Sequence, residues 1–111
     1  MVLKIKVNRG DTLVRSFEVK KDREPVDISD WTFRLTVKRS VFDSYSEAVI
    51  KKVEKEHDQP VEGRTSIVLR GYDTDIEEGT YHFDVQIENG IGDRRSVKGM
   101  FVVERGAGYD A

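Results

Sequence analysis

Two histidines are the side chains of this sequence best suited to acid–base catalysis. His57 lies in a charged loop, and His82 lies on the polar side of an alternating segment. A general base needs a partner group within hydrogen-bond reach, and the sequence places no nucleophile beside either ring. The sequence also contains no cysteine, which excludes a disulfide and a cysteine-ligated metal. We therefore predict solvent-exposed histidines, no cofactor, no small-molecule substrate and no enzymatic activity.

An acidic segment and a tripeptide are the other candidates for chemistry. Residues 73–78 contain four carboxylates, and Ca²⁺ takes roughly six to eight oxygen ligands from loops of this kind. The spacing lacks the third ligand and the glycine of the EF-hand loop, and acidic residues are common in loops for solubility alone. Arg9-Gly10-Asp11 matches an integrin-binding tripeptide, but glycine and aspartate also suit a turn. Calcium binding stays open, and the tripeptide is interpreted as a turn.

Size and charge restrict the class of protein. The chain has 111 residues, which is enough for one hydrophobic core. Its 19 basic and 21 acidic residues give a net charge of −2, and this balance argues against nucleic acid as the main partner. No stretch approaches the ~20 apolar residues of a membrane span or the apolar run of a signal peptide. We expect one domain over residues 1–104, a flexible tail over residues 105–111, and synthesis in a cytoplasm.

Alternating apolar and polar residues predict the strands that would position any site. The clearest case follows Gly79, where Tyr81, Phe83 and Val85 alternate with polar residues. A strand with one buried and one solvated face produces this period of two. The same pattern predicts strands at residues 2–7, 13–20, 31–38, 49–54, 65–70, 80–88 and 96–104. Short strands separated by turns predict an all-β, immunoglobulin-like antiparallel β-sandwich of seven to eight strands.

Several single residues support more detailed predictions. Tyr81 follows a turn, as in the tyrosine corner of immunoglobulin-like domains, whose hydroxyl bonds to upstream backbone. Trp31 is predicted to fill the gap between the sheets, and Gly99 to mark a bulge or a close backbone approach. Pro25 should lie beyond the end of a strand, in a charged turn. Arg15 interrupts an apolar face, which predicts a sheet edge or a bulge there.

Residues 40–48 break the strand pattern and are predicted to form an irregular loop or one helical turn. Phe42 and Tyr45 lie in this loop, outside any strand register. Exposed aromatic residues are enriched at protein interfaces, so these two are the candidate partner-contact residues. The alternative is that both fold over the end of the sheet as a small satellite core. The neighbouring segment 49–54 carries lysines typical of a protected sheet edge, and it is the second candidate contact.

The order of the turn and strand motifs resembles a known family. The motifs are Gly10-Asp11-Thr12 and the segments 25–32, 63–67, 76–85 and 99–103. Together they resemble the small immunoglobulin-like domains of tailed bacteriophages, found at the N-terminus of baseplate upper proteins and as free-standing virion proteins. The resemblance implies a location in the virion, after synthesis in the host cytoplasm. It also implies a tail, baseplate or head component that contacts other virion proteins or copies of itself.

The expected function is therefore that of a non-enzymatic structural or assembly protein acting through protein–protein contacts. The alternative is a stand-alone module that binds a host protein or a carbohydrate. A third reading is an inhibitor of a host enzyme. Converging exposed aromatics would favour a carbohydrate site, whereas the polar strand faces here carry Lys, Arg, Thr, Asp and Glu.

Overall fold

The computed structural model describes residues 3–105, in which nine strands are separated by turns. The strands are β1 (Leu3–Asn8), β2 (Leu13–Glu18), β3 (Lys20–Lys21), β4 (Glu24–Pro25), β5 (Thr32–Lys38), β6 (Ile50–Glu54), β7 (Arg64–Leu69), β8 (Gly79–Glu88) and β9 (Arg94–Glu104). The helical segments are one α-turn, α1 (Gly71–Thr74), and two 3₁₀ turns, Tyr45–Glu47 and Pro60–Glu62. The prediction of an all-β fold is confirmed.

Two sheets of unequal width form the sandwich. The larger sheet has the strand order β1-β9-β8-β5-β6, and the smaller sheet consists of β2 and β7. All neighbouring strands are antiparallel except β1, which pairs in parallel with β9. β3 and β4 form a separate two-stranded ribbon, which follows β2 in the sequence. The side of the five-stranded sheet that faces away from β2 and β7 is called the outer face below.

The core lies between the sheets and is built from every second residue of the strands. On β8, Tyr81, Phe83 and Val85 are buried, whereas His82 is exposed and Asp84 is half-buried. This alternation follows from the strand geometry, in which successive side chains point to opposite faces. The buried apolar core consists of Ile5, Val7, Ile28, Phe33, Leu35, Val37, Ile50, Ile67, Leu69, Tyr81, Phe83, Val85, Phe101 and Val103.

The tyrosine corner is confirmed. The Tyr81 hydroxyl donates a hydrogen bond to the backbone carbonyl of Glu77 at 2.5 Å. The ring is buried, and the Arg39 guanidinium lies 5.6 Å from its centroid. The bond therefore links the start of β8 to the turn that precedes it.

Gly99 lies where β1 comes close to β9. Of the two predicted alternatives, a bulge or a close backbone approach, the second is confirmed. A Cβ atom at this position would lie 2.7 Å from Phe83 Cε2 and 2.9 Å from the Leu3 carbonyl carbon. The ladders on both sides of Gly99 are continuous, which excludes a bulge. Only glycine therefore allows β1 to pair with β9 at this depth.

The prediction that Trp31 fills the gap between the sheets is wrong. The Trp31 backbone N–H bonds to the Ile28 carbonyl at 2.9 Å, so the residue closes a turn before β5 begins. Its side chain is only half-buried at the margin of the core. Phe33 takes the central position instead: it is fully buried, and its ring centroid lies 5.7 Å from that of Phe17.

Two other details differ from or refine the predictions. Pro25 was expected beyond a strand, but it belongs to β4 and pairs with Lys20 across a tight turn. Asp22 and Arg23 form that turn with φ values of 52° and 69°.

Arg15 lies on the inward side of β2, an edge strand in an unbroken register with β7, so the edge rather than the bulge is confirmed. An inward charge on an edge strand discourages pairing with another chain. Residues 106–111 of the predicted tail and Val2 lie outside the described residues.

Candidate functional site

His57 has a structural role rather than a catalytic or solvated one. Its Nε2 atom lies 2.8 Å from the Trp31 carbonyl, and its Nδ1 atom lies 2.8 Å from the Thr65 hydroxyl. Because a carbonyl only accepts, Nε2 carries the donated proton. The ring also packs edge-on to Phe33 at 5.5 Å. The prediction of an exposed surface histidine is therefore wrong for His57, which joins its loop to β7 and to the start of β5.

Three of the four carboxylates of residues 73–78 form separate ion pairs. Asp73 lies 2.9 Å from the Lys52 ammonium, and Asp75 lies 3.0 Å from the Arg9 guanidinium. Glu77 lies 3.5 Å from Arg39. Residues 3–105 bring no three His, Asp or Glu side chains together in an arrangement that could hold a metal ion. The acidic segment therefore links α1 and the following turn to neighbouring strands, and the arginine of the tripeptide is part of this linkage.

The loop at residues 40–48 is held in shape by its own hydrogen bonds. The Ser40 N–H donates to the Asp43 carboxylate at 3.1 Å, and the Phe42 N–H donates to the Ser40 hydroxyl at 3.2 Å. The Ser44 N–H donates to the Glu47 carboxylate at 3.0 Å and begins the 3₁₀ turn. This bond is the largest cause that lowers the pKa of Glu47 below its usual value. The prediction of one helical turn in this segment is confirmed.

This loop presents apolar side chains to solvent. Phe42 is 93% exposed, Val41 is 61% exposed and Tyr45 is 52% exposed. Phe42 therefore does not belong to a satellite core, which was the alternative interpretation. The Tyr45 ring is covered on one side by the Lys51 ammonium, 4.9 Å from its centroid. The structure thus places both predicted contact residues on the surface, close to the β6 edge.

A groove on the outer face begins beside this loop. It has a volume of about 400 Å³ and is called the outer groove below. Strands β5, β8 and β9 form its floor, and Val41 of the loop forms part of one wall. Its lining residues are Thr36, Lys38, Val41, His82, Phe83, Asp84, Lys98, Gly99 and Met100. The predicted exposed position of His82 is confirmed, and the ring contributes to the groove surface.

The outer face is basic although the chain as a whole is acidic. Strand alternation and register place seven basic and three acidic side chains on it: Lys4, Lys6, Arg34, Lys38, Lys51, Arg94 and Lys98, against Asp84, Glu88 and Glu104. The rest of the chain then carries an excess of acidic residues, because the net charge is −2. Such a charge asymmetry attracts an acidic partner to one face and repels it from the other.

Glu88 neutralises part of this face at the end farthest from the loop. Its carboxylate lies 2.8 Å from the Arg34 guanidinium and 3.5 Å from that of Arg94. The hydrogen bond from Arg34 is the main cause that lowers the pKa of Glu88. Arg34 and Arg94 therefore both form salt bridges with Glu88, whereas the lysines that line the outer groove form no salt bridge within residues 3–105.

Sequence reasoning did not identify the outer groove or its lysines. The lysines come from strands that are far apart along the chain, and each of them alone is an ordinary solvated residue of an alternating strand. Only the pairing register aligns them. A count of basic residues on the polar positions of the predicted strands would have given the one available signal.

Comparison with known proteins supports the fold but not the resemblance inferred from sequence. No protein-family model matches the chain, and no curated protein matches it. Among solved structures, the fold matches the PmoD soluble domain from Methylocystis sp. ATCC 49242 (Rockwell) with a TM-score of 0.52 and 12% identity. The match covers 88% of this chain and 76% of that domain. At this identity the likeness concerns the fold alone.

The predictions of a phage family and of a location in the virion are wrong. The matching structure is a bacterial soluble domain and not a virion protein. The physical reason is that the motifs behind the resemblance are turn and strand signals. Glycine turns, buried strands and tyrosine corners recur in immunoglobulin-like sandwiches that share no sequence similarity, so their order reports the architecture and not the family. None of the helices in residues 3–105 has the length and apolar composition needed to span a bilayer.

Proposed function

We propose that this chain is a non-enzymatic protein-binding domain and that its 40–48 loop supplies the apolar anchor of the interface. The exposure of Phe42, at 93%, is the observation that carries this proposal. Burying a phenylalanine side chain contributes about 1.5–3 kcal/mol, so a fully exposed one is a large unused source of binding energy. Buried aromatic anchors surrounded by polar contacts are the usual hot spots of protein interfaces.

The hydrogen bonds within the 40–48 loop favour a binding role for Phe42 over an exposed position without function. Asp43 and Glu47 each accept a backbone N–H, so the loop presents Phe42 in one arrangement. A preorganised loop loses less conformational entropy on binding than a flexible one. The neighbouring Val41 and Tyr45 extend the apolar surface around the anchor.

The absence of enzymatic activity is part of the same proposal. His57 uses both ring nitrogens in internal hydrogen bonds. His82 lies in the outer groove, where no described carboxylate is hydrogen-bonded to it to orient its ring. Neither histidine therefore has the base–orienter arrangement that general-base catalysis requires.

Affinity capture from the lysate of the producing cell tests the proposal. Three baits are compared: the wild type, a Phe42→Ser/Tyr45→Ser variant and an Ile91→Ser variant. Ile91 is a matched control because it is also an exposed apolar residue, at 85%, but lies in the β8–β9 turn at the opposite end of the sheet. We expect a partner retained by the wild type and the Ile91 variant and lost by the loop variant. Equal capture by all three baits, or no specific capture by any, contradicts the proposal.

A further inference from the structure

We propose that the outer groove binds an extended acidic segment of a partner protein, with lysines at both ends of the groove contacting its carboxylates. This inference rests on the proposed protein-binding function and specifies the chemistry of the partner. It is carried by an arrangement that appears only when the strands are placed in register. The arrangement involves four lysines from four different strands. Lys38 and Lys98 line the outer groove, and Lys4 and Lys51 lie outside its lining, at the other ends of the same cross-strand rows.

Two neighbouring cross-strand rows contain these lysines. In the first row, Lys4 pairs with Met100, Met100 with His82, and His82 with Lys38. The second row runs from Lys98 on β9 to Lys51 on β6. Its two intermediate positions are Asp84 and Thr36. Each row thus has a lysine at both ends. Only the second row has an acidic residue, Asp84, between its lysines.

None of the four lysines forms a salt bridge within the described part of the chain, although the positive charge of Lys38 contributes to the lowered pKa of Glu47. The salt bridges among residues 3–105 involve Lys6, Lys20, Lys52 and several arginines, but not Lys4, Lys38, Lys51 or Lys98. Lys51 lies over the Tyr45 ring and 3.5 Å from the Ser46 carbonyl. Positive charges on these rows are therefore available to a ligand.

The spacing of the rows matches an extended polypeptide. Neighbouring strands lie about 4.8 Å apart, so the lysines at the two ends of a row are about 14 Å apart. An extended chain advances about 3.4 Å per residue, so residues four positions apart also lie about 14 Å apart. The two rows are about 7 Å apart along the strands, which leaves room for one extended backbone between them. A peptide segment with two pairs of adjacent acidic residues, the pairs being about four positions apart, would place one carboxylate near each of the four lysines.

The floor of the groove favours a polypeptide over a nucleic acid. The Oδ1 atom of Asp84 is buried and receives no hydrogen bond from any residue in 3–105. Asp84 lines the groove, and a polypeptide can offer backbone N–H donors to its carboxylate, whereas a phosphate backbone carries no donor and is repelled by the charge. Met100 and Val41 add apolar surface to the same groove. The unpaired cations are all lysines, which act as point charges and not as the bidentate fork that arginine offers to phosphate.

Fluorescence anisotropy with a labelled peptide tests the inference. The probe is an uncharged Ser/Gln/Thr peptide that carries two Glu-Glu pairs about four residues apart. A second peptide has glutamine in place of every glutamate. We expect binding of the first peptide only, with an affinity that falls as salt is raised because exposed charges are screened. The Lys38→Gln/Lys98→Gln variant should bind about tenfold more weakly, which corresponds to the loss of two exposed ion pairs.

A variant with the same net charge is the control. Lys21 and Lys55 are exposed lysines outside the two rows, so Lys21→Gln/Lys55→Gln should bind within about twofold of the wild type. Asp84→Asn removes the one acidic side chain of the groove and should strengthen binding. Equal losses in the two double variants, weaker binding by Asp84→Asn, or no binding below about 1 mM would overturn the inference.

Two other occupants are distinguished in the same experiment. Oligothymidylate bound more tightly than the peptide, and lost by Lys38→Gln/Lys98→Gln, would show a polyanion site and overturn the inference. Self-association in sedimentation, abolished by the same variant, would show that a second copy covers the groove and would overturn it as well. If the peptide fails to bind while capture through Phe42 persists, the inference fails and the proposed function stands.

Discussion

Removing the Tyr81 hydroxyl should lower the free energy of unfolding by about 1.5 kcal/mol. The hydroxyl donates to the Glu77 carbonyl at 2.5 Å, and the side chain is only 2% exposed, so water cannot replace the lost donor. A typical buried hydrogen bond contributes about 1 kcal/mol net, and an acceptor left unpaired raises the loss to about 1–2 kcal/mol. Tyr81→Phe keeps the ring, its packing and its contact with Arg39, so the measured loss reports the hydroxyl alone.

Urea denaturation followed by circular dichroism measures this loss. With a slope of about 1.5 kcal/mol per M, a loss of 1.5 kcal/mol lowers the midpoint by about 1 M. Tyr72→Phe is the matched control because Tyr72 is 77% exposed and its hydroxyl makes no hydrogen bond among the described residues. We expect a change below about 0.3 kcal/mol for it. Equal midpoints for the two variants would refute the assignment of a tyrosine corner.

Three further substitutions test other features of the fold. Gly99→Ala should destabilise the domain by about 1–3 kcal/mol in urea denaturation, because the added methyl must displace β1 or the Phe83 ring. Arg23→Gly should raise the free energy of unfolding by about 0.5–1 kcal/mol, because its φ of 69° is strained for a residue with a Cβ atom. Arg34→Met should destabilise the domain more at pH 7 than at pH 3. The pKa of Glu88 is lowered by Arg34, so this stabilisation exists above the ordinary carboxyl pKa and disappears as Glu88 is protonated in the folded state.

Each of these substitutions has a result that would contradict its reasoning. A neutral Gly99→Ala variant would mean that β1 is not packed closely on β9. A destabilised Arg23→Gly variant would mean that the β3–β4 turn is not strained. An Arg34→Met penalty of the same size at both pH values would mean that the Glu88 carboxylate is not its source.

The strand pattern could be predicted because most strands have one buried and one solvated face. On β8 this places an apolar residue at every second position, and the predicted and observed boundaries of this strand differ by one residue. The features that were missed depend on contacts distant in sequence. His57 is held by contacts with Thr65 and Phe33, and the turn at Trp31 is set by a backbone bond to Ile28. None of these contacts leaves a periodic signal.

The candidate site was predictable only in part. Phe42 and Tyr45 were identifiable because they are aromatic residues that fit no strand register. The lysines of the outer groove were not, because their alignment requires the parallel pairing of β1 with β9 and the order of β8, β5 and β6. That pairing joins the two ends of the described chain, and it follows from the closure of the sandwich and not from any local pattern.

In-cell photo-crosslinking tests the central claim, protein binding through the loop, most directly. A photo-reactive phenylalanine analogue is placed at Phe42 in one sample and at Ile91 in another, and the adducts are separated by mass and identified by mass spectrometry. Both positions are exposed, so unspecific collisions should label them alike. We predict one dominant protein adduct at position 42 that is absent at position 91. The same pattern of adducts at both positions, or none at position 42, would contradict the claim.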